Sequence, residues 1–530
     1  MKKYCALLVM VFLLPLLHIS AQESVKVIKS EFEQQKDGFR DAWKNIKEGD
    51  RLFESGVGLY PDAVVSYLLA SEYNSANAEL NYKIGVSYLF GAEPLKSLDY
   101  LLRAYEIKPD VAEDILLLIG QSYQYRGDYG KAIDSYNMYS DKYHASRSFN
   151  TEVNNFIKQC NMAIEMRGEA NVAEIINPGI SVNSEYDDYS PVLSNQGMLL
   201  YFTTRRPLDI KRQRQDYDMK WDENIYVATK EGEGWNNAGS AGDKLTTVLN
   251  EGVLFIAASG RLMYLYAGYE GNGDILVSEF ERGRWGQPVQ PEIKFNSSNA
   301  RETSISFTDD GNEIFFTSDR RKGLGGRDIY YMKRVRRNKW TRPFNLGKPV
   351  NTERNEESVH VSANGDTIWF SSNRQGGMGG YDVYMSLKDK IGLWSEPVNL
   401  GMPVNSQSND LFYKANPFDN NEAWLASDRP GGYGGLDIYR ILMNNDAVTT
   451  DVTDADTLYI IPDTLNIVQD TIVITPDTLT IMRDTRDLVP DTVTLIRDTL
   501  DLVPDTVTLI RDTLNIVPDT LKIFRIPYMR

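Results

Sequence analysis

The chain has 530 residues, 42% of them hydrophobic, with 57 basic and 74 acidic side chains and a formal net charge of −17. That length makes room for two or three domains with ordinary cores, and so acidic a surface disfavours nucleic acid and anionic lipid as general partners. With only two cysteines and three histidines, a disulfide framework, a zinc site or a Ser-His triad has almost no material.

Residues 1–21 read as a cleaved secretory signal: Lys2 and Lys3, an apolar run from Ala6 to Leu17, then Ile19-Ser20-Ala21 before Gln22. Twelve apolar residues are too few for a bilayer, which takes about twenty, and no later segment is apolar enough to cross one. Cys5 precedes the apolar run and is badly placed for lipid attachment. Cleavage leaves Cys160 alone, which excludes an intramolecular disulfide, and takes the formal charge to −19.

Residues 22–168 carry helical periodicity. Small and apolar residues recur 34 or 35 apart: Ala63, Ser97, Ala132; Tyr67, Leu101, Tyr136; Ala70, Ala104, Tyr139. Ahead of two of these helices stand Ile84-Gly85 with Tyr88 and Ile119-Gly120 with Tyr123, and Pro109 closes one unit. Small residues let paired helices approach, and large ones fill the grooves between neighbours. The pattern resembles the tetratricopeptide repeat. The first copy departs from it, with Arg51 near the usual glycine and an inserted Gly56-Val57-Gly58. Residues 151–167 are expected to form a polar-faced capping helix.

Residues 172–445 hold five copies of a marker, an Asx followed by a branched residue and usually Tyr. It stands at Asn224-Ile225-Tyr226, Asp274-Ile275-Leu276, Asp328-Ile329-Tyr330, Asp382-Val383-Tyr384 and Asp437-Ile438-Tyr439, with spacings of 50, 54, 54 and 55. In four copies a tryptophan follows 11 or 12 residues later (Trp235, Trp285, Trp340, Trp394), and its regularity reads as blade packing. Copies three and four run on into Asn345-Leu346-Gly347-Lys348-Pro349-Val350-Asn351 and Asn399-Leu400-Gly401-Met402-Pro403-Val404-Asn405. The fifth copy lacks this segment, and its counterpart, Asn177-Pro178-Gly179-Ile180-Ser181-Val182-Asn183, precedes the first. A ring explains a unit split between two ends, because the displaced piece fastens last blade to first and covers the open edges. Four short strands per unit and a period near fifty point to a five-bladed β-propeller.

After a linker at 446–455, residues 456–530 form a tail of ten heptads that each begin with Asp-Thr, as in Asp456-Thr457-Leu458-Tyr459-Ile460-Ile461-Pro462. Residues 487–500 and 501–514 are identical, so the true unit is fourteen. Proline in every second heptad excludes a coiled coil, and Thr, Val and Ile favour extended chain. The expectation is an extended or disordered spacer, with repetitive β structure as the sharper alternative. The fold class is therefore multidomain: an all-α tetratricopeptide solenoid, an all-β five-bladed propeller and a repetitive extended tail.

The order of parts, and loops such as Ser427-Asp428-Arg429-Pro430-Gly431-Gly432-Tyr433-Gly434-Gly435-Leu436-Asp437-Ile438-Tyr439, resemble envelope proteins of the type IX secretion and gliding group. Ser372 to Tyr384 and Ser318 to Tyr330 are near copies of that loop. The propeller repeats of the group are related to those of TolB, with WD-like blades. The resemblance implies a periplasmic protein, in some settings associated with the outer membrane, whose partners are other envelope proteins or peptidoglycan and glycan. Many relatives end in an OmpA-like wall-binding domain; here the heptad tail stands in its place.

For the Gly-rich loops, which join strands and lack a following Lys-Ser/Thr, nucleotide binding is not expected. An acidic residue stands nine positions before each turn glycine in four copies (Asp188, Glu251, Glu302, Glu356), and Asp410 matches in the fifth. Arg320, Arg374 and Arg429 are expected to form bidentate pairs with Glu302, Glu356 and Asp410, or with the marker aspartates, as a repeated blade staple or a partner-binding surface. The second copy has Tyr269 and no arginine, so its face is expected to be open. No catalytic, cofactor or metal residues are assigned. Asp309-Asp310 lacks EF-hand spacing, and the basic runs 211–214 and 334–337 read as solvated faces. The expected function is a non-catalytic scaffold that binds partners through helical groove and propeller face. Glycan recognition is the alternative, and an envelope glycoside hydrolase using paired carboxylates is the second.

Overall fold

The structure, a computed structural model, describes residues 25–91, 93–143, 147–166, 173–208, 219–246, 250–268, 273–337 and 339–443, together with six short segments between 458 and 525. The signal, the linker, residues 211–214, His144 and Tyr269 lie outside the described residues.

Among the described residues eight helices come first: α1 (Lys29–Phe32), α2 (Phe39–Ser55), α3 (Tyr60–Ser71), α4 (Ala78–Leu89), α5 (Ser97–Ile107), α6 (Ile115–Tyr125), α7 (Tyr129–Tyr143) and α8 (Arg147–Met166). Short connections fold α2–α3, α4–α5 and α6–α7 into hairpins. In each, one glycine faces one large residue. A Cβ on Gly49, Gly85 or Gly120 would stand 2.5 Å from Tyr67, 2.6 Å from Leu101 or 2.5 Å from Tyr136. The first hairpin therefore keeps the small residue after all, at Gly49 instead of near Arg51. Asn77 caps α4 by accepting from Leu80 N at 2.8 Å.

Five antiparallel sheets follow. Blade 1 holds β2 (Asp188–Ser194), β3 (Leu199–Thr204), β4 (Asn224–Glu231), β5 (Gly234–Trp235) and β6 (Gly239–Ser240). Blade 2 holds β7 (Glu251–Ile256), β8 (Leu262–Ala267), β9 (Asp274–Glu281) and β10 (Arg284–Trp285). Blade 3 holds β11 (Glu302–Phe307), β12 (Glu313–Ser318), β13 (Asp328–Arg336), β14 (Lys339–Trp340) and β15 (Phe344–Asn345). Blade 4 holds β16 (Glu356–Val361), β17 (Thr367–Ser372), β18 (Asp382–Leu387) and β19 (Val398–Asn399). Blade 5 holds β20 (Asp410–Ala415), β21 (Glu422–Ser427) and β22 (Asp437–Met443).

Its outer strand is β1 (Ala173–Ile176), which pairs with β22 from Ala173↔Met443 to Ile176↔Arg440. The innermost strands touch in ring order, β2–β7–β11–β16–β20 and back to β2, so the propeller is five-bladed and closed. Closure repeats the chemistry of the other seams. Asn183 exchanges two hydrogen bonds with Ile438 (2.8 and 2.9 Å), as Asn351 does with Ile329 (2.8 and 2.9 Å) and Asn405 with Val383 (2.7 and 2.9 Å). Tryptophans bridge neighbouring blades edge-on: Trp285 to Tyr201, Trp394 to Phe315, and Trp235 to Trp424 across the closing seam.

The tail is a separate unit. Its strands β23 (Leu458–Ile460), β24 (Asp470–Thr475), β25 (Thr478–Arg483), β26 (Thr492–Arg497), β27 (Thr506–Arg511) and β28 (Thr520–Arg525) form two three-stranded sheets. The parallel pairs Thr478↔Thr506 and Thr492↔Thr520 stand two fourteen-residue units apart, which matches the phase of the sequence repeat.

Candidate functional site

In blades 3, 4 and 5 the innermost strand begins at one end of the ring, beside the Gly-rich loop that joins the second and third strands. Glu302, Glu356 and Asp410 open β11, β16 and β20 and are fully buried. Arg320, Arg374 and Arg429 reach them with one nitrogen each, at 2.8, 3.3 and 2.6 Å. The pairs are not bidentate, contrary to expectation. Each guanidinium is shared with a second partner, because Nε donates to Ser318, Ser372 or Ser427 at 3.0, 3.2 and 3.1 Å. Nη2 also donates to the carbonyl of Phe295, Val350 or Val404 at 2.7, 2.5 and 2.7 Å. The cation lies over Tyr330, Tyr384 or Tyr439, 4.7 to 5.1 Å from the ring centre. Blade 1 has a fourth such clasp, Arg206 with Asp188 at 3.2 Å, over Tyr226. Burial raises the carboxyl pKa of Glu302 and Glu356, opposed by these hydrogen bonds and by the arginines.

The marker aspartates take the loop amides instead. Asp328 accepts from Leu324 N (2.6 Å) and Gly325 N (3.1 Å), and Asp437 from Tyr433 N (2.6 Å) and Gly434 N (3.2 Å). Asp382 accepts from Met378 N and from Gly379 N at 3.2 Å. Glycine is required by close approach: a Cβ on Gly325 would stand 1.8 Å from Arg354 O, and one on Gly379 2.2 Å from Ser408 O. Donors already spent on a carboxylate are not offered to a phosphate. Burial pushes Asp382 up to about 7 and Asp428 up to about 6.

At the same end is a second charged layer that does not follow the sequence repeat. Arg301 binds Asp319 through Nε (2.8 Å) and Nη2 (2.6 Å). Arg327 pairs with Glu357, which also accepts from Thr303 at 2.8 Å, and Tyr189 donates to Glu223 at 2.5 Å. Lys220 bonds Asp187 at 2.7 Å. The signal for this layer lay in the residues beside each serine and each marker, which carry opposite charges in different blades. Further along the inner strands, Lys414 and His360 stand where other blades have Val192, Phe255 and Ser306. Burial pulls the Lys414 ammonium down to about 8 and lowers His360 well below its usual range.

At the opposite end of the ring an open depression of about 830 Å³ lies between blades 3 and 4, lined by Asp309, Asp310, Glu313, Lys333, Arg334 and Arg336. The Asp310 carboxylate is engaged within its own turn by Thr308 Oγ1 (2.6 Å) and by Asn312 N (2.9 Å) and Nδ2 (2.7 Å).

The loop of blade 4 does more than fasten its own blade. Met378 is fully buried in the core of the helical region. Gln159 of α8 donates to Gly379 O, and Gln407 donates to Tyr125 O at 3.2 Å. Met402 packs on the same core, and a Cβ on Gly401 would stand 3.4 Å from Met166 Sδ. Helix α8 buries Gln159, Cys160 and Ala163 on one face, which serves the joint and the neighbouring helices, and exposes Thr151, Asn154, Lys158 and Glu165.

These features define a five-bladed β-propeller joined to an N-terminal helical region. No protein-family model matches the sequence, and no curated protein matches it. Among solved structures, an endo-arabinase from Bacteroides thetaiotaomicron VPI-5482 is similar at 15% identity and a TM-score of 0.34, over 50% of this chain and 96% of that one. An exo-β-1,3-galactanase from Clostridium thermocellum matches at 13% and 0.32, over 50% and 62%. A protein of unknown function from Dyadobacter fermentans DSM 18053 matches at 12% and 0.30, over 48% and 76%. Similarity of this degree carries no argument about activity.

Proposed function

We propose that this protein is a non-catalytic scaffold of the cell envelope, exported to the periplasm and holding partner proteins on a tetratricopeptide-like stack and on the end of its propeller. The joint carries this reading: with Met378 seated in the helical core, the two surfaces belong to one compact body and meet partners at a fixed relative geometry. The clasps support it as well. Glu302, Glu356 and Asp410 are each buried and held by an arginine, a serine and an aromatic face, an arrangement that recurs around the ring as a fastening does. The resemblance to the type IX secretion and gliding group suggests an assembly at the outer membrane.

The test is an affinity pull-down from crosslinked envelopes, with the intact chain and with the tail removed after Asp456. Recovery of the same envelope proteins by both forms supports the scaffold. Recovery of nothing, or turnover of an arabinan, galactan or sialoside that is lost on changing one carboxylate, overturns it. Co-sedimentation with purified sacculi in place of protein partners would transfer the reading to glycan recognition.

A further inference from the structure

The joint between helices and propeller has a counterpart one blade further round. In blade 4 it consists of the loop tip Met378, the connector residue Met402 and the connector side chain Gln407. Met378 N and Asn399 Nδ2 both donate to Asp382 Oδ2, which places loop and connector side by side. Blade 5 builds the same frame. There Tyr433 N and Asn177 Nδ2 both donate to Asp437 Oδ2, and a Cβ on Gly434 would meet Tyr186 O and Ser184 O, as one on Gly379 would meet Ser408 O and Ser406 O. The residue in the place of Met378 is Tyr433, and the residue in the place of Met402 is Ile180. Both are apolar in bulk, and they are 49% and 73% exposed. Blade 3 has only half the pair, Leu324 with Lys348. Glu185 stands in the place of Gln407 and is exposed.

We infer that the Tyr433–Ile180 surface is a second helix-docking site, the counterpart of the internal joint one blade further round, and that its occupant is an α-helical hairpin of a partner protein. The internal joint shows what this frame accepts: an apolar notch between helices, flanked by glutamine side chains that cap the loop carbonyls. The new site is continuous with that joint, because blades 4 and 5 share a seam. One substitution sets its specificity. Gln407 donates to a helix carbonyl, whereas the Glu185 carboxylate would repel one, so the chain's own helices are refused and a lysine, an arginine or a helix N-terminus is favoured. The inference rests on the scaffold reading and narrows it to one surface and one partner class.

The full-length protein carrying a photo-crosslinking benzoylphenylalanine at 433 or 180, with Val289 as an exposed apolar control, tests it in intact envelopes. The expected result is a shared adduct from 433 and 180, absent from 289, whose crosslinked peptide lies in a helical hairpin of the partner. Its yield should fall about tenfold, equivalent to 1.4 kcal/mol, with Glu185→Lys, a surface change that leaves the blade clasps intact. Adducts that map to a strand, a glycan or nothing, or a yield indifferent to Glu185→Lys, overturn the inference. If the wild-type pull-down still recovers partners in that case, the scaffold stands and only this surface is wrong.

Discussion

Arg374→Met tests the clasp by leaving Glu356 buried without its cation. Glu356 is fully buried, and the Arg374 side chain is 11% exposed, so solvent screens the pair little. Breaking such a pair costs about 3–5 kcal/mol if the carboxylate stays charged. The orphaned acid has another route, which is to bind a proton. Against an ordinary pKa of 4.5, that costs about 0.7 kcal/mol at pH 5 and about 4.8 kcal/mol at pH 8. The cheaper route wins at each pH, so this part of the deficit should rise from under about 1 kcal/mol at pH 5 to about 3–5 kcal/mol at pH 8. The sign follows from linkage. Burial already raises the folded pKa of Glu356, removal of the arginine raises it further, and stability is then lost as pH climbs from the unfolded value through the folded one. The cation–π contact with Tyr384 adds a pH-independent loss of about 1 kcal/mol. Urea midpoints at pH 5, 6.5 and 8 for the wild type, Arg374→Met, Glu356→Gln and the double variant measure all of this. A deficit flat with pH, or a double variant no more stable at pH 8 than Arg374→Met alone, would refute the reasoning.

Lys414→Met should stabilise the ring, because burial pulls the ammonium from 10.5 to about 8, which amounts to about 3 kcal/mol against the charged form at pH 7. Wild type should gain stability between pH 8 and 10.5, as the unfolded chain alone keeps its proton, and the variant should lack that rise; denaturant midpoints at pH 7 and 10 decide. Gly120→Ala drives a methyl to 2.5 Å from the Tyr136 ring, which is fully buried and tied to Gln124 at 2.7 Å, so a loss of about 1–3 kcal/mol is expected in helical unfolding followed by circular dichroism. Gly130→Ala, in α7 with nothing within 4 Å, should instead gain about 0.5–1 kcal/mol.

The ring was legible because its fastenings repeat chemistry at fixed spacing. Asp328, Asp382 and Asp437 each hold their own loop, and Asn183, Asn351 and Asn405 each hold their own third strand, so one blade's residues explain the next blade's. The closing strand itself fell a few residues upstream of the expected piece, at Ala173–Ile176, because the split segment that drew notice supplies the clamp while the unremarkable Ala-Glu-Ile-Ile supplies the ladder. The bidentate expectation failed for a local reason: Ser318 and the Phe295 carbonyl compete for the same guanidinium as Glu302. The second charged layer was hidden because blade 1 places aspartate before its inner strand and arginine after its second, whereas blade 3 places Arg301 and Asp319 the other way round. Such a swap preserves the pair and erases the repeat. The joint was hidden more deeply. Met378, Leu324 and Tyr433 occupy one repeat position, and only the placement of the helices decides which of them is buried.

A ring fastened blade by blade makes departures from the repeat informative. The clasp recurs in blades 1, 3, 4 and 5, and a residue that recurs is explained once its bonds are named. Function has to be sought where equivalent positions differ while the frame beneath them does not. The tips of the Gly-rich loops meet that condition: their amides are bound alike in blades 3, 4 and 5, yet one tip is enclosed by helices and two stand in solvent. So does the inner-strand position that holds Ser306, His360 and Lys414 in successive blades, where the third costs stability that a neutral residue would not. Burial disfavours the charged form of Lys414, and among the described residues no carboxylate pairs with it. Weaker recovery of envelope partners by Lys414→Met, alongside its gain in stability, is the pairing that marks a lysine serving binding; a gain in stability with recovery unchanged marks one that does not.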